Sequence, residues 1–492
     1  MKGSVGLVQT HEATFNDPLS LDNGASLSLF TLAYETYGRL NKEKSNAILI
    51  CHALTGDSHA AGFHEGEIRA GWWDNLIGPG KAFDTDRYFI ICSNVIGGCK
   101  GSTGPSSVNP ETGKHYALSF PAISVHDMVR AQKRLVESFD IECLAAVAGG
   151  SMGGMQALAW AVTYPDNARK IIAIATTARS TPQQIAFNEV GRQAIMSDPI
   201  WANGNYSTDN PPFRGLSLAR MIGHITYLSD EAMHEKFGRK FQNNDESQNP
   251  ESYALPEFQV ESYLHHQGNS FTRRFDANTY LYITRALDHF DLAGNDSLED
   301  VFAGVKASFL VVSVSSDWLY PPYQSEEIVR ALAANDISVQ YCEIRSQYGH
   351  DAFLLEHGQM TYLIGSFLDH LTVRDVMETD APSIVGNLSI SDAAKVMIKK
   401  AVNHLPVTKE CREIIGIVTS WDIAKAVACD HKNLEDIMSV SVVTASPDEP
   451  IIDVARRMEE HSISALPVVD EKRRVIGLIS SDAISTLIGR CK

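Results

Sequence analysis

Ala148-Gly149-Gly150-Ser151-Met152-Gly153-Gly154-Met155-Gln156 joins an apolar run, Leu144 to Ala148, to the helix-forming stretch Gln156-Ala-Leu-Ala-Trp160. Gly-x-Ser-x-Gly between a strand and a helix reads as a nucleophile elbow. The chain turns so sharply there that side chains at Gly149 and Gly153 would collide, and the Ser151 hydroxyl projects above the sheet. Alone, the pattern is common in loops and phosphate turns; the flanking strand and helix give it meaning. The Met152 N–H, at the helix N-terminus, is placed to hold an oxyanion.

Outward from the elbow, apolar β-branched runs recur at Ala47 to Cys51, Tyr88 to Cys92, Ile171 to Ala175, Phe309 to Val314 and Ser338 to Ile344, with helical patterns between several of them. Near-continuous apolar strands alternating with helices predict a mostly parallel sheet covered on both faces, an α/β fold. Functional residues then belong beyond the carboxyl ends of the strands. Between Arg179 and about Asp300 the pattern turns polar and helical, including Asn203 to Pro212 and Asn243 to Pro250. That interval reads as an inserted helical lid, about residues 180–300, which would shut water out of the site.

A serine hydroxyl becomes a nucleophile when a histidine takes its proton and a carboxylate fixes that histidine. The run ending at Val314 leads into Ser315-Ser316-Asp317, and the run ending at Ile344 leads into Ser346-Gln347-Tyr348-Gly349-His350-Asp351. Asp317 and His350 thus occupy post-strand loops in the order serine, acid, histidine, which is the order of α/β-hydrolase folds. Ser151, Asp317 and His350 are the expected triad. Leu54, in His52-Ala-Leu-Thr-Gly-Asp57 after the first apolar run, is the candidate for a second oxyanion N–H, a plain tight turn being the alternative. Gly97-Gly-Cys-Lys100-Gly101-Ser-Thr-Gly104 fails the phosphate-loop spacing, because Lys100 precedes Gly101, and reads as a pocket wall. His52, His59 and His64 lack metal-motif spacing, so no metal is expected and a solvated or wall position is assigned to them.

The 492 residues exceed what one core normally supports. A formal charge of −18 with no clustered Lys/Arg stripe argues against nucleic acid or an anionic membrane as partner. The 8 cysteines are scattered without a Cys-x-x-Cys pair and read as reduced thiols. With neither an apolar leader nor a membrane-length apolar run, a cytoplasmic protein is expected.

From Thr372 the chain repeats itself at one constant offset. Asp375-Val-Met377 returns as Asp436-Ile-Met438, Leu405-Pro-Val407 as Leu466-Pro-Val468, and Ile415-Gly-Ile417 as Ile476-Gly-Leu478. Ile390, Ala393, Ala394 and Met397, like Ile451, Val454, Ala455 and Met458, follow helical spacing. Two such units should pack as one module. The repeat resembles a tandem pair of CBS domains, α+β units at residues 373–430 and 434–490 that follow a catalytic domain at 1–371. In that family a Thr/Ser-x-x-Asp holds an adenosyl ligand. Thr419-Ser-Trp-Asp422 matches it; Ser480-Ser-Asp-Ala483 departs, with Ala483 where the carboxylate should be. The resemblance implies S-adenosylmethionine or an adenine nucleotide as ligand, a folding or dimerisation unit being the other reading.

The remaining motifs, His52-Ala-Leu-Thr-Gly-Asp57, Gly97 to Pro105, Gly149 to Gln156, Leu218-Ala-Arg-Met-Ile-Gly-His-Ile-Thr226, Phe275-Asp-Ala-Asn-Thr-Tyr-Leu-Tyr282 and Tyr348-Gly-His-Asp351, resemble those of the homoserine O-acetyltransferases of methionine biosynthesis. The resemblance implies an α/β-hydrolase fold, acetyl-CoA as co-substrate with no bound cofactor, L-homoserine as acceptor and a homodimer. It also implies Ser151 as the acetylated residue, with Arg220 and Asp351 as substrate contacts. Chemistry agrees, since a guanidinium suits the carboxylate of homoserine and a carboxylate suits its ammonium. Succinyl-CoA as donor and serine as acceptor stay open at this level, as does an esterase on the same triad.

Overall fold

The computed structural model describes residues 3–242, 258–368, 371–379, 381–386, 388–429, 431 and 433–489, and the chain divides into two units, residues 1–357 and 358–492. The polar stretch Asn243 to Pro250 lies outside the described residues.

The first unit is built on eight strands: β1 (His11–Phe15), β2 (Phe30–Tyr37), β3 (Ala47–Cys51), β4 (Phe89–Ser93), β5 (Ala146–Gly150), β6 (Lys170–Ile174), β7 (Ser308–Val314) and β8 (Val339–Ile344). Their order in the sheet is β1-β2-β4-β3-β5-β6-β7-β8. β2 runs antiparallel to β1 and to β4, and every pair from β4 to β8 is parallel. The apolar runs explain the centre, where β3, β4 and β5 are buried at every residue. Two departures from expectation follow from the same logic. β1 and β2 mix polar with apolar residues and carry no apolar run longer than Leu32-Ala33-Tyr34, so nothing flagged them. β8 is an edge strand with exposed residues on it, not a strand buried on both sides.

Helices α1 (Val125–Ser138) and α2 (Met152–Thr163) pack together, and α2 also lies against β5 and β6. Ser124 starts α1 with a capping box to Asp127. Between β6 and β7 the chain forms α3 (Pro182–Met196), α4 (Phe213–Tyr227), α5 (Asp230–Lys236), α6 (Gln259–Phe271) and α7 (Ala277–Asp288), without a strand among the described residues. Thr181 and Gln184 cap α3 reciprocally, with proline at its first turn. α4 packs against both α3 and α6. After β7, α8 (Pro322–Ala334) returns the chain to β8.

The second unit shows the repeat as structure. Its first copy has α9 (Ile390–Lys400), β9 (His404–Thr408), β10 (Ile414–Thr419) and α10 (Ser420–Ala428). The second has α11 (Ile451–Glu460), β11 (Ala465–Val469), β12 (Val475–Ser480) and α12 (Ser481–Gly489). Each strand pair is antiparallel, with a register shift at the matching place, Val407/Thr408 in one and Val468/Val469 in the other. Ile390, Ala393 and Met397 are buried with Leu405 and Val407, as Ile451, Val454 and Met458 are with Leu466 and Val468. Backbone bonds join the copies, from Ile414 N–H to Arg473 O at 3.1 Å and from Val475 N–H to Arg412 O at 3.0 Å. No helix among the described residues is long and apolar enough to cross a membrane, and the seven described cysteines are free thiols.

Candidate active site

β5 ends at Gly150 and α2 begins at Met152, so Ser151 alone makes the turn, with φ 57° and ψ −124°. This left-handed backbone is costly for a side-chain-bearing residue and persists only where its surroundings fix it. The neighbours require glycine: a Cβ on Gly149 would strike the Gly153 backbone, and a Cβ on Gly153 would strike the Cys51 carbonyl at the end of β3. Ser151 therefore sits where two strands and a helix meet.

His350 and Asp317 reach the same point from post-strand loops. His350 Nε2 lies 2.9 Å from Ser151 Oγ, and His350 Nδ1 lies 2.7 Å from Asp317 Oδ2. The other oxygen, Asp317 Oδ1, accepts the N–H groups of Leu319 at 2.9 Å and Tyr320 at 2.8 Å, which fixes the carboxylate plane. Ser151, Asp317 and His350 are all buried. The imidazole is also held by rings: Tyr320 stacks on it at 4.8 Å, Phe353 meets it edge-on at 5.6 Å and Tyr227 lies 6.1 Å away. Tyr320 escaped the sequence reading because its role depends on a ring stacked across from another loop.

Met152 is the first residue of α2, so its N–H has no partner within the helix. Leu54 follows β3, in the turn closed by the Gly56 N–H bond to Ala53 O. Gln156 ties the two segments together, donating to His52 O at 3.1 Å and accepting from Gln132 at 2.7 Å. Arg220, on α4, donates to Thr55 Oγ1 at 3.3 Å, beside Leu54. Asp351 follows His350; burial pushes its carboxyl above the ordinary value, while His350 and Arg220 pull the other way. The Gly97 to Gly104 segment closes on itself through Gly97 N–H to Thr103 O at 2.8 Å, and Ser102 Oγ donates to Asn94 O at 2.7 Å.

The three N-terminal histidines differ in exposure, the His59 and His64 side chains being 14% and 30% exposed. His52 is buried, with Nε2 accepting the Val95 N–H at 3.1 Å. His59 and His64 converge on Glu35 of β2, a buried residue that spacing within the histidine segment could not reveal. Its Oε1 accepts from His64 Nε2 at 2.8 Å and Thr10 at 2.9 Å; its Oε2 accepts from His59 Nδ1 at 3.0 Å and Tyr37 at 2.9 Å. Ligand-capable atoms of Glu35, His59 and His64 lie within 4.8 Å of one another. Four donors already occupy the carboxylate, so a metal held by these same atoms would have to displace the protons shared with both imidazoles. Burial raises the Glu35 pKa, and the bonds from His59 and His64 more than reverse this, leaving it below 4.5. For His59, burial lowers the value and Glu35 outweighs it, leaving it above 6.5.

In the second unit Thr419 Oγ1 accepts the Asp422 N–H at 3.2 Å, and Asp422 accepts from Thr419 N–H at 2.8 Å and Thr419 Oγ1 at 2.7 Å. The pair forms a capping box for α10. Ser480 Oγ accepts the Ala483 N–H at 3.1 Å, without a returning carboxylate from position 483.

Residues 46–357 match the family model of the alpha/beta hydrolase fold, and residues 373–429 and 434–490 each match that of the CBS domain. A homoserine O-acetyltransferase of Methanosphaerula palustris is 61% identical over 490 residues, 99% of this chain and 99% of its own. Among solved structures, homoserine O-acetyltransferase from Bacillus anthracis has a TM-score of 0.67 at 30% identity, over 73% of this chain and 98% of its own. Esterase E22 has a TM-score of 0.68 at 31% identity, over 73% of this chain and 100% of its own.

Proposed function

The chain belongs to the homoserine O-acetyltransferases, acyltransferases on the α/β-hydrolase fold, here carrying a tandem CBS pair, and on that premise we propose how its residues divide the work. The enzyme transfers acetyl from acetyl-CoA to L-homoserine, giving O-acetyl-L-homoserine and CoA in methionine biosynthesis. The observation that carries the residue assignment is the unbroken bond path from Ser151 Oγ through His350 to Asp317.

Ser151 Oγ attacks the thioester carbonyl as His350 Nε2 takes its proton, and the Leu54 and Met152 N–H groups receive the oxyanion. Collapse expels CoA, whose sulfur takes the proton from His350, and leaves acetyl-Ser151. Homoserine then enters with its carboxylate on Arg220 and its ammonium on Asp351. His350 deprotonates the γ-hydroxyl, which attacks the acetyl carbon, and the proton returns to Ser151 as the ester leaves. An ammonium beside Asp351 would favour its ionised form, against the burial that raises its pKa. The inserted helices, about residues 180–300, act as the lid that keeps water from the acetyl-serine.

Steady-state rates with acetyl-CoA and succinyl-CoA, each against homoserine and serine, test the donor and acceptor. Acetyl-CoA with homoserine should dominate; a dominant succinyl-CoA rate would overturn the donor. Likeness to an esterase raises a second reading, in which water takes the acetyl group. Equal CoA release with and without homoserine would establish that one. For the repeat, an adenosyl ligand such as S-adenosylmethionine or an adenine nucleotide at Thr419 and Asp422 is supported by the matching motif. Calorimetric titration of the full chain tests it, absence of heat with any of these ligands counting against it. Sedimentation equilibrium tests the homodimer.

A further inference from the structure

Two arginines of the helical insertion converge on one residue of the oxyanion loop. Arg220 lies on α4, and Arg274 lies between α6 and α7. Arg220 Nη1 donates to the Thr55 hydroxyl at 3.3 Å, and Arg274 Nη1 to the Thr55 carbonyl at 3.0 Å. Both guanidinium carbons sit over the ring of Phe271, 4.9 Å and 5.3 Å from its centroid. Neither forms an ion pair with a carboxylate among the described residues. Arg220 also hydrogen-bonds the Tyr227 side chain; with five N–H donors on a guanidinium, each fork still has donors left for a ligand.

Two guanidiniums that share one ring repel each other, and an anion between them would relieve that repulsion. The repulsion extends to the neighbours. Burial, then repulsion from Arg220, draws the Arg274 pKa down. His224, one turn beyond Arg220, is pushed down to about 3, by burial first and then by Arg220, Lys236 and Arg274. Asp57 and Asp351 act on this field electrostatically, yet neither pairs with either arginine.

The location indicates which anion would fit. Arg220 lies 5.5 Å from the Tyr227 ring, which lies 6.1 Å from the His350 ring, and Thr55 adjoins Leu54. An acetyl group is uncharged, and the CoA phosphates lie a pantetheine arm away from the thioester. The acceptor's carboxylate is the stable anion that must come this close to His350. We propose that Arg274 is a specificity-determining residue, forming with Arg220 a two-guanidinium clamp for the α-carboxylate of the amino-acid acceptor. This inference rests on the reading of Arg220 as a carboxylate contact.

The test compares Arg274→Gln and Arg274→Lys with the parent enzyme on two acceptors. One is L-homoserine; the other is 3-amino-1-propanol, which keeps the hydroxyl and the amine but lacks the carboxylate. Acetyl-serine formation is followed separately as the burst with p-nitrophenyl acetate. Arg274→Gln should raise the KM for homoserine by about 10- to 100-fold, the range for losing a charge-assisted contact. It should leave kcat, the rate with 3-amino-1-propanol and the burst within about threefold, and Arg274→Lys should recover part of the KM. Equal losses with both acceptors, or a diminished burst, would overturn the clamp and leave Arg274 as a brace for the Thr55 loop. Failure of the underlying reading shows elsewhere: Arg220→Gln would then leave the homoserine KM unchanged.

Discussion

Ser151 and Thr419 occupy the same kind of place, a hydroxyl residue between the end of a strand and the start of a helix, and the protein uses them in opposite ways. Thr419 has φ −109°, and its hydroxyl is spent on the capping box of α10. Ser151 has φ 57° and makes no cap, so its hydroxyl is left to His350. A relaxed junction satisfies its hydroxyl locally, whereas a strained one denies it local partners and turns it toward another loop. The contact of Ser151 with His350 thus depends on a local hydrogen bond being withheld as much as on the histidine being supplied.

Substitutions can break this contrast at graded cost. Ser151→Ala should lower acetyl transfer by about 10⁴-fold or more while the protein stays folded, measured by CoA release and circular dichroism. Retained turnover would refute the assignment. Gly153→Ala should destabilise the first unit by about 2 kcal/mol or more, because the methyl would meet the Cys51 carbonyl, and thermal denaturation would register it. Thr419→Ala should lower the stability of the second unit by about 1 kcal/mol, the usual cost of a lost cap, read from chemical denaturation. Ala483→Asp should move the other way, gaining a few tenths to about 1 kcal/mol by completing the box that Ser480 begins.

A pH dependence sharpens the comparison with a third, fully satisfied site. Glu35 is held below 4.5, so its stabilisation is present above that value and is lost as the pH falls through the lowered one. His59 is held above 6.5, so its contribution is complete below 6.5 and is lost as the pH rises through the raised one. His64, Tyr37, Thr10, Asp57 and Glu67 are the groups that surround the pair. The Tm advantage of the parent over Glu35→Gln should therefore be greatest between about pH 4.5 and 6.5. A flat difference across pH 4 to 9 would show that no ionised pair operates there.

Much of this was legible in the chain because strands and glycines leave strong local marks. The meeting of Ser151, Asp317 and His350 could be anticipated since each follows a strand whose apolar run is visible. The repeat announced itself by three matching tripeptides at one offset, one pair identical and two differing by a single apolar residue. β1 and β2 were silent because mixed polar and apolar residues in an antiparallel flank are a weaker signal than a long apolar run, and with β2 went Glu35, a charge whose burial only the fold reveals. Arg274 stayed hidden for a similar reason. Its significance depends on Arg220, Phe271 and Thr55, which come from separate segments. The Thr419 motif was readable as a pattern, but that its carboxylate closes on its own backbone required geometry.

The contact between Gly153 and the Cys51 carbonyl has a further meaning for the reaction. It works as a gauge block: backbone against backbone, with no side chain to compress, it sets how far α2 stands from the end of β3. Met152 rides on one of those parts and Leu54 on the continuation of the other. The spacing between the end of β3 and the start of α2, on which the two proposed oxyanion amides are carried, is thus set by backbone within the first unit.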